Sequence, residues 1–329
     1  MPRKAVLEGG RRDEIIEQAR KLFFENGYEN TSIRMIASQV GCEVGLIYYY
    51  FKNKDDAFEK VMDKMFADYG EEFHKIVCSA KRDPFRTLQS CFRYVAAETE
   101  KFRSCYAENM HWTVRYAIRE RAMLAIEPEI RELVTVLCEY GARPNLSIDA
   151  TAKFFSYGIC SAIIHESKET LESSWAEIRK AANLVMGLSE ESAELMFPYF
   201  GGFGDIEGMK ELIRSVADIF PQFDRNEDKL LPARINDREL ILIRRKNEIA
   251  GAVMFSLARK EIDFLAVKEN LRRRGIATRL MITALARFEI GEKVSLRCPE
   301  SAESFFEHLG FEKKENGMEI TVSEKIPIK

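Results

Sequence analysis

The feature that most constrains this chain is a change of hydrophobic period partway along it. From residue 13 to about 188, apolar residues recur three and four positions apart, with breaks at Gly27, Gly41, Pro84, Pro128 and Pro144. That spacing predicts amphipathic helices and few strands. After Glu190 the texture changes. A glycine-rich stretch, Gly201-Gly202-Phe203-Gly204, leads through a helix-like run at 208–220 into short apolar runs. Residues 239–244 and 249–257 flank a polar turn at Lys246-Asn247 and predict a hairpin, and a third strand follows at 261–267. An amphipathic helix at 275–289, a strand at 294–298, a helix at 302–308 and a strand at 318–322 complete the pattern. An all-α front and an α/β tail therefore share one chain, with the change between about 188 and 208. At 329 residues there is material for two or three cores.

Composition removes several function classes. A formal net charge of -3 excludes a generally basic, histone-like protein, so contact with nucleic acid must come from a local patch. The seven cysteines contain no C-x-x-C pair, and His74, His111, His165 and His308 lie far apart. Neither a disulfide framework nor a metal site is expected. No run of about 18 apolar residues occurs, so the sequence predicts a soluble cytoplasmic protein with no membrane partner.

In the front, Ile15, Ile16, Ala19, Leu22 and Phe23 form one apolar face of a first helix that stops at Asn26-Gly27. Thr31 or Ser32 can cap a second helix, which buries Ile33, Ile36, Ala37 and Val40 and ends at Gly41. A short third helix covers 44–51. Helix, tight glycine turn, helix is the grammar of a helix-turn-helix. The run Thr31-Ser32-Ile33, Ile36-Ala37, Val40-Gly41, Gly45, Ile47-Tyr48-Tyr49-Tyr50-Phe51 and Lys54 resembles the signature of the TetR family of transcription regulators. The resemblance implies that Thr31, Arg34 and the start of the recognition helix, Glu43, Val44 and Gly45, meet phosphates or base edges of a double-stranded DNA operator. It implies backbone contacts from Tyr48, Tyr49, Lys52 and Lys54, while Tyr50 and Phe51 pack inward. Gly45 would let the helix backbone approach the duplex closely. Glu43, Val44 and Leu46 depart from the residues common in the family, so the operator does not carry over. Arg3, Lys4, Arg11 and Arg12 form a basic arm that either reaches phosphates or a minor groove, or is a solvated tail.

Between 65 and 188, Phe102, Tyr106, Met110, Trp112, Tyr116 and Met123 would suit an apolar chamber for a small inducer, and would equally suit a helical core. His111 and His165 read as structural histidines. Helix-like runs at 149–166 and 174–186, with Ala152, Phe155, Ile159, Ala162 and Ile163, lie where TetR-like proteins dimerise. A homodimer is expected, because two recognition helices one DNA turn apart read a palindrome.

In the tail, the strand ending Leu265-Ala266-Val267 runs into Arg272-Arg273-Arg274-Gly275-Ile276-Ala277-Thr278, which opens a helix. Unpaired amides and the positive end of a helix dipole stabilise a pyrophosphate there, and three arginines add charge. The R-x-x-G-x-A spacing of Arg272, Gly275 and Ala277 resembles the acetyl-CoA signature of the GCN5-related N-acetyltransferases (GNAT). The run from Ala302 through Phe305-Phe306 to Leu309-Gly310-Phe311 resembles that family's second motif. The resemblance implies acetyl-CoA as cofactor, a base that deprotonates an amine, and often a tyrosine that protonates the departing thiolate. That tyrosine position holds Phe306 here, and no tyrosine follows Tyr199. Glu261 and Asp263 share one strand face and are candidates for the base, or Glu261 is a solvated edge carboxylate. Cys298, Ser304 or water would have to stand in as the acid.

The chain is thus expected to be multidomain. An all-α helix-turn-helix (1–58) and a helical ligand-binding and dimerisation region (59–190) precede a GNAT-like α/β domain (200–329) with a mixed, mostly antiparallel sheet. The functional expectation is a TetR-type regulator, a repressor, with an acetyl-CoA-binding tail. The rivals are an N-acetyltransferase of a small amine or protein lysine on a helical dimer scaffold, and a catalytically silent acetyl-CoA sensor.

Overall fold

A computed structural model of the chain describes residues 10–106, 111–165, 168–224, 227–315 and 317–326. Arg3, Lys4 and Met110 lie outside the described residues, as do the side chains of Tyr106 and His165.

The front is helical: α1 (Arg11–Asn30), α2 (Ile33–Val40), α3 (Val44–Tyr50), α4 (Lys54–Cys78), α5 (Pro84–Tyr106) and α6 (Trp112–Glu139). α7 (Ile148–Lys153) continues as π-helical turns over Phe154–Cys160 into α8 (Ser161–His165), and α9 (Lys168–Val185) and α10 (Glu190–Glu194) follow. Of the breaks expected at prolines, that at Pro128 is absent, whereas that at Pro84 falls between α4 and α5 as expected. Pro128 does not end a helix but sits inside α6, since one missing N–H in a 28-residue helix is tolerated when packing holds its ends. Pro84 opens α5 at the first helical position, where its missing N–H costs nothing, and Asp83 accepts from the Arg86 N–H at 3.1 Å as the cap.

In the tail, β1 (Tyr199–Phe200), α11 (Ile206–Arg214), α12 (Pro221–Asp224) and α13 (Glu227–Asn236) lead into β2 (Leu240–Arg245), β3 (Glu248–Ser256) and β4 (Glu261–Val267). Then come α14 (Ile276–Leu285), β5 (Lys293–Leu296), α15 (Glu300–His308), β6 (Glu312–Lys314) and β7 (Gly317–Thr321). Among the described residues these strands form one sheet of order β1-β2-β3-β4-β5-β7-β6, antiparallel throughout except for the parallel pair β4 and β5. An all-α front and a mixed, mostly antiparallel α/β tail are therefore the fold class. β1, β6 and α13 carry no period that the sequence advertises: β1 is two residues long, β6 reads Glu-Lys-Lys, and α13 contains Pro232.

The chain condenses into two compact units. One gathers 1–75, 92–131 and 152–173; the other gathers 76–91, 132–151 and 174–329. The first has a core in which Ile15, Ala19 and Phe23 of α1 meet Ile36 of α2, Ile47 of α3, Val61 of α4 and Val114 of α6. In the second, Met209, Leu212 and Ile213 of α11 pack with Leu240, Ala252, Met254 and Phe264 of the sheet. α14 packs against β2, β3 and β4 as well. With a helix layer on each face, β2 and β3 are buried almost throughout and lose any apolar–polar alternation.

Candidate functional site

In the first unit, the α2–α3 pair is built by local rules. Ser32 caps α2 by accepting from the Met35 N–H at 3.2 Å. Gly41 ends it in the left-handed region at φ 70°, with the Cys42 N–H donating to the Ala37 carbonyl at 2.9 Å. α3 then presents Tyr48 at 55% and Tyr49 at 62% exposure, while Ile47 is fully buried beneath them. Arg34, Glu43, Gly45 and Lys52 are exposed as well, Val44 half-buried, and Phe51 buried. A side chain built on Gly45 would meet nothing within 4 Å, so the folded chain itself does not require glycine there.

Two residues of the expected interface are committed elsewhere. Thr31 is 1% exposed, and its hydroxyl lies 2.8 Å from the Gly27 carbonyl and 3.0 Å from that of Leu22, so it stitches α2 to α1 and offers nothing to solvent. The Lys54 ammonium donates to the Tyr28 carbonyl at 3.0 Å and lies 4.1 Å above the Tyr28 ring, closing the end of α1. The exposed face instead includes Met35, Ser38 and Gln39, which sequence reasoning passed over. Their only signal was that they fall opposite Ile33, Ile36 and Val40 on an eight-residue helix.

Gly27 bends α1 at φ 80°, and a Cβ there would stand 2.2 Å from His111 Nδ1. The His111 N–H donates to the Phe24 carbonyl at 2.8 Å and its ring lies 2.9 Å from the Thr113 hydroxyl. His111 is thus a structural joint between α1 and the start of α6. Trp112 and Tyr116, expected in a chamber or core, are 65% and 61% exposed, because they fall on the outer face of the first turns of α6; Met123 is fully buried.

In the second unit, β4 and β5 pair in register only at Glu261–Ser295 and Ile262–Leu296. Beyond that point β4 runs on to Val267 paired with β3 alone. Among the described residues the backbone of Asp263 to Val267 therefore has one edge without a strand neighbour, and the strand leads on to the start of α14. Gly275, at φ 73°, caps α14, and Arg273 also has positive φ at 64°. Two left-handed residues flanking Arg274 turn successive N–H groups outward, a geometry that receives anions. Gly251 on β3 lets α14 settle on the sheet: a Cβ there would stand 2.9 Å from Ile276 Cγ2 and 3.0 Å from the Ala266 carbonyl. Its signal was legible, since a lone glycine inside an apolar strand marks close approach by another element.

Arg272, Arg273 and Arg274 are exposed, Ile276 is buried, and Ala277 and Thr278 are half-buried. Arg274 is paired with Glu191 of α10, which also accepts from Arg245 at 2.8 Å; the hydrogen bond from Arg274 holds the Glu191 carboxyl below its usual range. No spacing pattern connects a glutamate 83 positions upstream with the loop, so sequence alone could not find it.

The candidates for chemistry separate. Glu261 lines an open groove of about 480 Å³ with Ser295, Arg297, Lys314, Glu315 and Glu319. Asp263 shares its strand face but is 10% exposed, held by Arg234 and by Arg259 at 2.5 Å. Burial pushes its carboxyl up, against the pull of those two arginines. Burial also pushes the Cys298 thiol up, and that thiol faces Met318 Sδ at 3.7 Å. Phe306 is 5% exposed, with ring centres 5.0 Å from Phe305 and 5.7 Å from Phe311. The Tyr199 hydroxyl is tied to Asp205 at 2.9 Å and to Arg244 at 2.6 Å, and burial raises its pKa.

With both sites described, residues 15–61 match the family of bacterial regulatory proteins called the tetR family, and residues 218–324 match the acetyltransferase (GNAT) domain. The chain thus carries a TetR-type helix-turn-helix segment and, behind it, a GNAT-type domain. Among curated proteins it is 34% identical over 86 residues to the HTH-type transcriptional regulator HbdR of Aromatoleum sp. (strain CIB), covering 26% of this chain and 38% of that protein. It is 31% identical over 88 residues to the HTH-type transcriptional repressor ComR of Escherichia coli, covering 25% and 42%. It spans less than half the length of these relatives. Among solved structures, the fatty acid degradation regulator FadR of Bacillus halodurans aligns over 55% of this chain and 97% of its own, at 18% identity and a TM-score of 0.40. Among the described residues no helix is long and apolar enough to cross a membrane.

Proposed function

We propose that this chain is a cytoplasmic, homodimeric transcriptional repressor that binds a double-stranded DNA operator through α2 and α3, and whose tail binds acetyl-CoA for transfer to an amine. The observation that carries the DNA half is the outward face of α3. Two tyrosines stand more than half exposed beside a glycine around which the fold leaves open space, and Arg34 and Lys52 lie nearby. Exposed tyrosine and arginine or lysine suit phosphate and base contacts, and an unfilled glycine suits close approach of a duplex. Exposed Tyr157, Trp175 and Leu184 lie on the helical runs that would supply the dimer face. A small-molecule inducer would then act through the helical region.

The tail half rests on the parting of β4 from β5 ahead of Gly275. The free edge from Asp263 to Val267, including Leu265 and Ala266, offers backbone groups to an extended, amide-rich chain, and the amides around Gly275 suit a diphosphate. Acetyl-CoA, when bound, supplies an activated acetyl thioester. Glu261, in the groove at the closed end of the parting strands, would take the proton from an attacking amine; Asp263, already paired, would position Arg234 and Arg259 instead. A second reading, a silent acetyl-CoA sensor, is favoured by Phe306 in the core and by the Cys298 thiol facing Met318.

An operator selected in vitro from random palindromes provides the test. Tyr48→Ala with Lys52→Glu should abolish its gel retardation while leaving the thermal midpoint unchanged; retained retardation overturns the DNA half. Calorimetry with acetyl-CoA should show binding that Gly275→Glu removes, and absence of binding overturns the tail half. Release of free thiol in the presence of amines separates transferase from sensor.

A further inference from the structure

We propose that Arg279 is an inner ligand of the diphosphate of a coenzyme A thioester, a residue outside the motif of Arg272, Gly275 and Ala277. The inference rests on the reading of the tail as a coenzyme A site. Arg279 lies one turn into α14, and helical side chains lean towards the N-terminus of their helix. Its Nη1 donates to the Arg274 carbonyl at 2.9 Å. Nη1, Cζ and Nη2 stand 3.3, 3.5 and 3.5 Å from where a Cβ on Gly275 would be, so the guanidinium lies directly against the left-handed residue of the loop. Behind it is Phe85, whose ring centre is 5.7 Å from Cζ.

Among the described residues Arg279 lacks a counter-charge, as does the half-buried Arg82, which donates to the Phe288 carbonyl instead; of the two, Arg279 is the one set against the Gly275 loop. Elsewhere in the unit, Arg234 has Glu239 and Asp263, Arg244 has Asp205, Arg214 has Glu227 at 2.6 Å, and Arg274 has Glu191. Arg279 is half-buried and has no carboxylate within ion-pair reach among the described residues. Burial pushes its pKa down, and no carboxylate opposes that shift. A desolvated cation without an anion is unfavourable, and a cation beside the N-terminus of a helix adds to a positive end that is already uncompensated. Both are relieved by the same anion. The Arg274 carbonyl takes one of the five guanidinium N–H groups, and the planar fork matches two phosphate oxygens, as a lysine ammonium would not.

The test uses the full chain and three probes: coenzyme A, its 3′-dephospho form and pantetheine, which lacks the diphosphate. Arg279→Gln should weaken both diphosphate probes by about ten- to a hundredfold, the loss of a charge-assisted hydrogen-bonded pair. Pantetheine binding, followed by ligand-observed NMR, should stay unchanged. Arg279→Lys should recover part of the loss and, because it keeps the charge, the salt dependence of the wild type, which Arg279→Gln should flatten. If the wild type binds none of the probes, the reading of the tail fails and the inference falls with it. If the wild type binds, but Arg279→Gln keeps its affinity for coenzyme A or loses all three probes equally, the tail reading stands and Arg279 is only a packing residue.

Discussion

At the scale of single residues, the fold separates what it needs from what it leaves available. Gly27 and Gly251 are demanded by the chain itself, because a Cβ at either would collide with a neighbour. Gly45 is not. Replacing it with alanine should hold or raise the thermal midpoint, since alanine gains up to about 1 kcal/mol over glycine within a helix, while operator affinity falls at least about tenfold. Unchanged operator affinity in gel titration would show that no duplex approaches there. Asp83 makes a different kind of claim. It is 6% exposed, and burial raises its carboxyl above the ordinary value of 3.8. The folded chain therefore holds that proton more tightly than the unfolded chain. Its contribution is most favourable in acid and is lost as pH rises from about 3.8 through the raised folded value. Asp83→Asn keeps an acceptor for the α5 cap and removes the titration. The difference in thermal midpoint, variant minus wild type, should grow as pH rises above about 4 and then level off; a flat or falling difference would contradict the buried charge.

At the scale of elements, α10 is the piece whose role is least local. Its Glu191 occupies Arg274, one of the three arginines just ahead of α14, and would compete there with a phosphate of the proposed coenzyme A. Glu191→Gln should strengthen coenzyme A binding by about two- to fivefold, the worth of an exposed ion pair. Weaker binding in calorimetry would mean that Glu191 holds Arg274 ready for the phosphate. This pairing also shows where legibility stops. The helical period and the glycines at 27 and 41 announced α1 to α3, because each is specified within a few residues. The hairpin of β2 and β3, the strand β4 and the start of α14 were legible for the same reason. Thr31, Lys54, Asp263 and Arg279 were not placed by pattern. Lys54 and Asp263 are committed by partners 26 and 29 positions away and Arg279 lies against Phe85, while Thr31 is taken by carbonyls only four and nine positions back, a choice its residue type does not reveal. A threonine that caps and a threonine that binds phosphate share one sequence signature; only the Leu22 and Gly27 carbonyls beside Thr31 distinguish them.

At the scale of the whole molecule, compactness gathers the chain differently from its texture. The sheet shares its unit with 76–91 and 132–151, segments that read as ordinary helix of the front. Phe85 is buried beside Arg279, Arg82 donates to the Phe288 carbonyl, and the Tyr140 hydroxyl donates to the Lys81 carbonyl at 2.6 Å. Lys325, near the end of the described chain, pairs with Glu139 at 2.7 Å. A fragment of residues 200–329 therefore keeps β2 to β7, cuts β1 and loses Phe85 from beside α14. Truncating one buried phenylalanine costs about 3–5 kcal/mol, a large share of a domain's usual 5–15 kcal/mol. The fragment should unfold well below the full chain and bind a hydrophobic dye. Because a fragment can fail for other reasons, Phe85→Ala in the full chain is the controlling measurement. It should raise amide hydrogen exchange along α14 while leaving α2 and α3 protected. Exchange along α14 that matches the wild type would show that the sheet domain draws no stability from the helical segment in its own unit.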